Sequence, residues 1–300
     1  MKIGHNVTKL AIEVSIALLA FASATAAGIQ DSTVRAIKDA PSRYSKLDGS
    51  RVHYKSFGKG STAIVFIHGW TCNMNSWRLQ VPEFASTARV IAIDLPGHGA
   101  SDKPQVTYSM DLFARAIDSV MQDAKVDKAV LVGHSMGAPV IRQFYRKYPQ
   151  KTLALVIADG PLRSFGKKED SERFIAPLRG PDYKQWEDKI IENMFGPAAS
   201  AELRAEIKAS MLGTPQHVAV SAMEGLIDPA IWGNDKINVP VLAVMTKDWP
   251  PDTEQYYRSL APNLEYHFVD GAGHFLMMEK PGEFNQALAA FLAKYKSQKK

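Results

Sequence analysis

Three kinds of residue in this chain stand where acyl-transfer chemistry could use them. They are a serine on a glycine-flanked turn, a histidine in a late glycine-rich loop, and aspartates just after apolar runs. The serine is Ser135, in Gly133-His134-Ser135-Met136-Gly137. An apolar run, Ala129–Val132, precedes it and a helical pattern follows. This context predicts a sharp strand–turn–helix junction that raises the hydroxyl above the edge of a sheet. The flanking glycines let strand and helix approach without Cβ clashes. The same turn sets the Met136 N–H at a helix N-terminus, aimed at developing negative charge.

A serine hydroxyl at neutral pH is a poor nucleophile; it needs a base, and the base needs an orienting carboxylate. Of the eight histidines, His274 in Gly271-Ala272-Gly273-His274 follows the last predicted strand and can reach the same sheet edge as Ser135. It is the expected base. His53 and His267 fall within strands, His217 in an inserted helical region, and His98 in the Gly97-His98-Gly99 loop. His134 neighbours Ser135 but points elsewhere on the turn. Chain order Ser, Asp, His places the acid after the strand Val241–Met245, so Asp248 is expected, with Asp159 and Asp252 as alternatives. Asp252 is better explained as a helix N-cap. In His68-Gly69-Trp70, after the strand Ala63–Ile67, the Trp70 N–H is the expected second oxyanion donor, and His68 is expected to hold the loop. Trp70 and Trp77 are candidates to wall an acyl pocket. Cys72, the one cysteine, reads as a small buried hydrophobe, since no cation stands near it in sequence.

These groups need a frame. Arg43–Leu47 and Arg51–Ser56 alternate and are separated by Asp48-Gly49, a hairpin turn. Continuous apolar runs follow at Ala63–Ile67, Val90–Ile93, Ala129–Val132, Leu153–Ala158 and Val241–Met245, as in strands buried on both faces of a parallel sheet. Helical patterns at Ser76–Ala85, Met110–Ala124, Ala138–Tyr148 and Asp252–Leu260 separate them. Leu264–Phe268 reads as a last strand and Gly282–Tyr295 as a last helix. The alternation predicts an α/β fold with a mostly parallel, doubly wound sheet and right-handed crossovers. Residues 161–238 are too long for a crossover and carry several amphipathic patterns, so a helical cap is expected there. The expected core is 27–160 with 239–300. Phe174, Trp186, Phe195, Met211, Met223 and Trp232 are too many large apolar groups for a detached cap, and some should roof a cleft over Ser135.

Together these residues resemble the α/β-hydrolase superfamily, in particular its esterase-like serine hydrolases with a helical cap. The resemblance rests on His68-Gly69-Trp70, the segment Asp94–Asp102, the Gly133–Gly137 elbow and the ending Gly273–Pro281. It implies an α/β-hydrolase fold and a cofactor-free serine hydrolase acting on carboxylic esters through an acyl-enzyme on Ser135. A lactonase or amidase using the same triad is the alternative, then a non-catalytic binding protein of this fold. Members that are haloalkane dehalogenases or epoxide hydrolases use an aspartate nucleophile, which Ser135 argues against. Met245 stands where the usual G-x-x-D turn of the family has its glycine.

Composition narrows the rest. The 300 residues are 46% hydrophobic and 22% charged, which excludes disordered and collagen-like chains. The balance of 36 basic against 31 acidic side chains is only mildly positive, with part of the excess in Lys294, Lys296, Lys299 and Lys300. No basic run lies beside aromatic residues, so no nucleic-acid partner is expected. No H-E-x-x-H or paired His/Cys spacing appears, and Gly58-Lys59-Gly60-Ser61 lacks the order of a phosphate loop. Neither metal nor cofactor is expected; the partner is a small ester-like substrate. Lys2 and Lys9, the apolar Val14–Ala22 and Ala24-Thr25-Ala26 read as an export signal cleaved near Ala26. That predicts an exported protein, periplasmic or secreted, with no stable membrane anchor.

Overall fold

Asp48 and Gly49 both adopt positive φ, +50° and +82°, which is the twist a two-residue hairpin needs. They join β1 (Arg43–Leu47) to β2 (Ser50–Phe57). The computed structural model describes residues 37–164 and 168–296; the segment read as an export signal lies outside them. Beyond the hairpin come β3 (Thr62–Ile67), β4 (Arg89–Ile93), β5 (Lys128–His134), β6 (Thr152–Ala158), β7 (Val241–Met245) and β8 (Leu264–Phe268). They form one eight-stranded sheet in the order β1-β2-β4-β3-β5-β6-β7-β8. β1–β2 and β2–β4 are antiparallel and every other pairing is parallel.

The apolar runs are buried because both faces of the central strands are covered. Val65, Phe66, Ile67, Leu131, Val132, Val156, Ile157 and Val241 to Met245 all have no exposed surface. This is the α/β-hydrolase arrangement, in which the parallel strands end together on one edge. Helices α1 (Val81–Ala85), α2 (Met110–Asp123), α3 (Gly137–Lys147), α8 (Thr253–Leu260), α9 (Leu276–Glu279) and α10 (Pro281–Lys296) belong to this core.

One expected helix is broken. Ser76–Ala85 reads as a single helical pattern, but the chain makes a 3₁₀ turn at Met74–Trp77 and restarts as α1. Pro82 at the start of α1 lacks the N–H and clashes with the preceding turn, so the two pieces cannot join. The Asn73 side chain accepts from Asn75 N–H and caps the first piece.

Between β6 and β7 lie four helices: α4 (Lys168–Arg179), α5 (Tyr183–Glu192), α6 (Ala201–Met211) and α7 (Gln216–Ile227). Both ends of this insertion are tied to α3. Arg142, buried in α3, donates to the carbonyls of Leu162 at 2.9 Å and Gly233, and to Asp235 Oδ1 at 3.1 Å. Arg146 adds a bond from Nε to Asp235 Oδ2 at 2.9 Å.

Candidate active site

Ser135 stands between the last residue of β5 and the first turn of α3, with φ of +53°. A side chain in this left-handed region is strained, and only tight packing holds it there. The packing is visible in the two glycines. A Cβ on Gly133 would overlap the Gly137 carbonyl, and one on Gly137 would come within 2.7 Å of the Ile67 oxygen. Strand, turn and helix therefore touch backbone to backbone, and the half-buried serine is pushed up to the sheet edge.

His274 lies in the loop between β8 and α9, held by its backbone on two sides. Its N–H donates to Met194 O at 2.7 Å, and its carbonyl accepts from His134 Nε2 at 2.8 Å. Its Nδ1 bonds Asp159 Oδ2 at 2.7 Å. The other oxygen of Asp159 accepts three donors: Thr246 N at 2.8 Å, Thr246 Oγ1 at 2.9 Å and Trp249 Nε1 at 2.8 Å. Burial alone would raise the Asp159 pKa, but the bonds from His274, Thr246 and Trp249 outweigh it and hold the carboxyl below its ordinary range. Beside an ionised Asp159 the proton of a neutral imidazole sits on Nδ1, facing the carboxylate, and Nε2 is the ring nitrogen turned away from it.

The carboxylate expected here was Asp248, and that assignment is corrected. Asp248 is exposed at the mouth of the cavity, while the acid seated on His274 is Asp159. The reason is local. Ala158 ends β6 beside Val244 of β7, and Asp159 then takes φ of +44°, donating its N–H to Val244 O at 2.9 Å. That bend turns its side chain across the end of β7. The turn after β7 contributes donors, from Thr246 and Trp249, rather than the acid. Asp252 is also accounted for elsewhere: it stands at the N-cap position of α8, but its oxygens accept from Arg163 at 2.6 and 2.7 Å instead of capping. The signal was in the sequence, since Met245 replaces the glycine of the usual acid-bearing turn.

Trp70 lines the same cavity as Ser135, and Met136 follows the serine in the chain. Both are buried, and among the described residues neither N–H donates to a backbone carbonyl. The loop carrying Trp70 is fixed from both sides. His68 donates from Nδ1 to Gly69 O at 2.8 Å and accepts the Leu95 N–H on Nε2 at 3.0 Å, so it holds this loop to the next one. From the cap side, Trp70 Nε1 donates to Ala219 O at 2.7 Å and Thr214 Oγ1 to Thr71 O at 2.9 Å. Cys72 is buried, and burial pushes its thiol up to about 12, which makes it inert.

Ser135, Asp159, His274 and Trp70 line one cavity of about 610 Å³. Phe174, Ile190, Met194, Met223, Leu226 and Ile227 of the inserted segment form much of its apolar wall. Of the large apolar residues expected to roof the site, Phe174 and Met223 do so. Met211 is buried, while Trp186, Phe195 and Trp232 are partly buried against the core. Trp77 is wholly buried away from the cavity, packed on Phe66 and edge-on to His134. Among the described residues no group of three or more His, Cys, Asp or Glu side chains could hold a metal ion.

Comparison with known proteins places the chain among hydrolases of this fold. The family model described as "Alpha/beta hydrolase family" matches residues 64–287. Epoxide hydrolase 3 of Mus musculus is 36% identical over 276 residues, covering 82% of this chain and 75% of that protein. The 2-hydroxy-6-oxononadienedioate/2-hydroxy-6-oxononatrienedioate hydrolase of Paraburkholderia phymatum is 30% identical over 288 residues, covering 87% of this chain and 98% of that one. Among solved structures, Est816, described as an N-acyl homoserine lactone degrading enzyme, superposes with a TM-score of 0.73. It is 28% identical and is matched over 83% of this chain and 100% of its own.

Proposed function

The chain belongs to the alpha/beta hydrolase family, and from that premise we propose that it is a serine hydrolase cleaving carboxylic esters through an acyl-enzyme on Ser135. The observation that carries this reading is the 2.7 Å bond from His274 Nδ1 to Asp159, with Ser135 facing the same cavity. In the proposed reaction Ser135 Oγ attacks the carbonyl carbon and its proton passes to His274 Nε2. Asp159 stabilises the imidazolium that forms. The Trp70 and Met136 N–H groups receive the oxyanion, where donors set in place beforehand act most strongly. His274 then protonates the departing alcohol, and water, activated by the same imidazole, releases the acid and restores Ser135.

A hydroxyl at the elbow, rather than a carboxylate, separates this reading from epoxide opening despite the similarity to the murine protein. Lactone hydrolysis is the second reading. It is favoured by the similarity to Est816 over the whole of that chain and asks nothing further of the triad, because a lactone is a cyclic ester. The mostly apolar cavity suits an uncharged substrate with a hydrocarbon acyl part. If residues 1–26 act as an export signal, the reaction takes place outside the cytoplasm.

Labelling with a fluorophosphonate probe, followed by hydrolysis assays on linear esters and lactones, tests the proposal. Wild-type protein should be labelled on Ser135, and Ser135→Ala should lose labelling and at least 10³-fold in kcat while remaining folded. Retention of a tenth of the activity by Ser135→Ala would end this reading.

A further inference from the structure

The carboxylate of Glu279, the last residue of α9, joins the cavity's roof to the loop of the base. Its Oε2 accepts the Gly273 N–H at 2.8 Å, and its Oε1 accepts the Gly196 N–H at 3.3 Å. Gly273 immediately precedes His274. Gly196 lies in the connection between α5 and α6, two residues after Met194, whose side chain lines the cavity. The two backbones are in direct contact: a Cβ on Gly196 would overlap Gly273 N, and a Cβ on Gly273 would overlap Gly196 N.

His274 itself completes this seam, donating its N–H to Met194 O at 2.7 Å. Its carbonyl is held from the core by His134 Nε2. The base is thus suspended between core and cap, and the cap side consists of Met194 O and the Glu279 bridge. The adjacent cation, Lys280, pairs with Glu283 at 3.2 Å. A charged acceptor shared by two backbone donors is a strong tether.

We propose that Glu279 is a positioning residue for the base, coupling the seating of the Met194–Gly196 segment to the placement of His274 between Asp159 and Ser135. The proposal rests on His274 serving as the base in the reaction above. A displacement of that imidazole by about 1 Å is enough to cost on the order of a hundredfold in rate.

The test compares wild type, Glu279→Gln, Asp159→Asn and the double variant on a p-nitrophenyl ester, with proton NMR of the free proteins. Gln keeps one acceptor and presents an amide N–H₂ to the other glycine, so one of the two bonds is lost. Glu279→Gln should lower kcat tenfold to a hundredfold with KM within threefold. In the Asp159→Asn background, where the imidazole is already misoriented, the same substitution should cost less than threefold, because the two act through one group. In the free protein, the downfield proton shared by His274 Nδ1 and Asp159 should broaden or shift in Glu279→Gln. That readout needs no substrate, so it stands even if ester cleavage does not. Glu279→Asp, too short to bridge both loops, gives the same reading should the Gln variant not fold. A kcat within twofold of wild type together with an unmoved resonance overturns the proposal, as do losses that multiply in the double variant.

Discussion

In the proposed reaction the carboxylate on Nδ1 sets the tautomer of His274, and with it whether Nε2 can take the Ser135 proton. Asp159→Asn would present an amide N–H₂ to Nδ1 and favour the opposite tautomer. The expected result is a loss of roughly 10³–10⁴ in kcat with the fold retained. Asp248→Asn, at the exposed cavity mouth, should cost less than tenfold. Steady-state assays of the two variants side by side decide the matter. A crippled Asp248→Asn beside a near-normal Asp159→Asn would return the acid to the turn after β7. Position along the chain favoured Asp248, since it follows a strand that ends on the correct edge. What position could not convey was the positive φ of Asp159 and the three donors waiting for its second oxygen.

At the scale of elements, helix α5 carries a second buried acid. Glu187 has no exposed surface, lies beside Thr71 and Cys72 on the loop that carries Trp70, and has Lys184 Nζ at 3.8 Å. Burial pushes its carboxyl up to about 7. Because the native state holds this proton more tightly than the unfolded chain, its contribution is intact below about pH 4.5 and is lost as pH rises towards 7. The loss amounts to at most about 3 kcal/mol. Glu187→Gln, neutral at every pH, should therefore raise Tm at pH 8 and change it little at pH 5. An equal shift at both values would show that Glu187 does not titrate across the fold. Sequence placed a helical pattern here, and the pattern is met by α5, but an amphipathic period does not say which of its acids faces the core. Glu187 was invisible for that reason.

Across the whole molecule, buried neutral histidines set the response to acid. Burial pushes His98 and His134 down to about 3, and both stay unprotonated in the fold at pH values where the unfolded chain takes up protons. Their stabilisation is complete above about pH 6.5 and declines as pH falls, by on the order of 2 kcal/mol for each at pH 5. Glu187 acts in the opposite sense over the same range. His68, also pushed down by burial, adds to the loss in the same sense, so Glu187→Gln should lose more stability than wild type between pH 8 and 5, by on the order of 2 kcal/mol. Urea unfolding midpoints at the two pH values measure this. A midpoint in Glu187→Gln that stays level between pH 8 and 5 would mean that these imidazoles are protonated within the fold.

What this sequence determined by itself was whatever rests on local pattern. The apolar runs of β3, β5, β6 and β7 announced a parallel sheet because strands covered on both faces admit no polar side. Gly133 and Gly137 marked the elbow because no larger residue fits between strand and helix there, and strand-end positions singled out Ser135 and His274, which line one cavity. Pro82 already carried the break that splits Ser76–Ala85, although the apolar period ran across it. The tertiary structure decided what depends on which chain ends meet. Asp159 became the partner of His274 because β6 and β7 pair side by side and bring Thr246 and Trp249 to its other oxygen. The Gly196–Gly273 contact under Glu279 joins residues far apart in the chain, and no sequence period runs through them. Strand and helix patterns are written in neighbouring residues, whereas a hydrogen-bonded site is written in distances that exist only once the sheet has assembled.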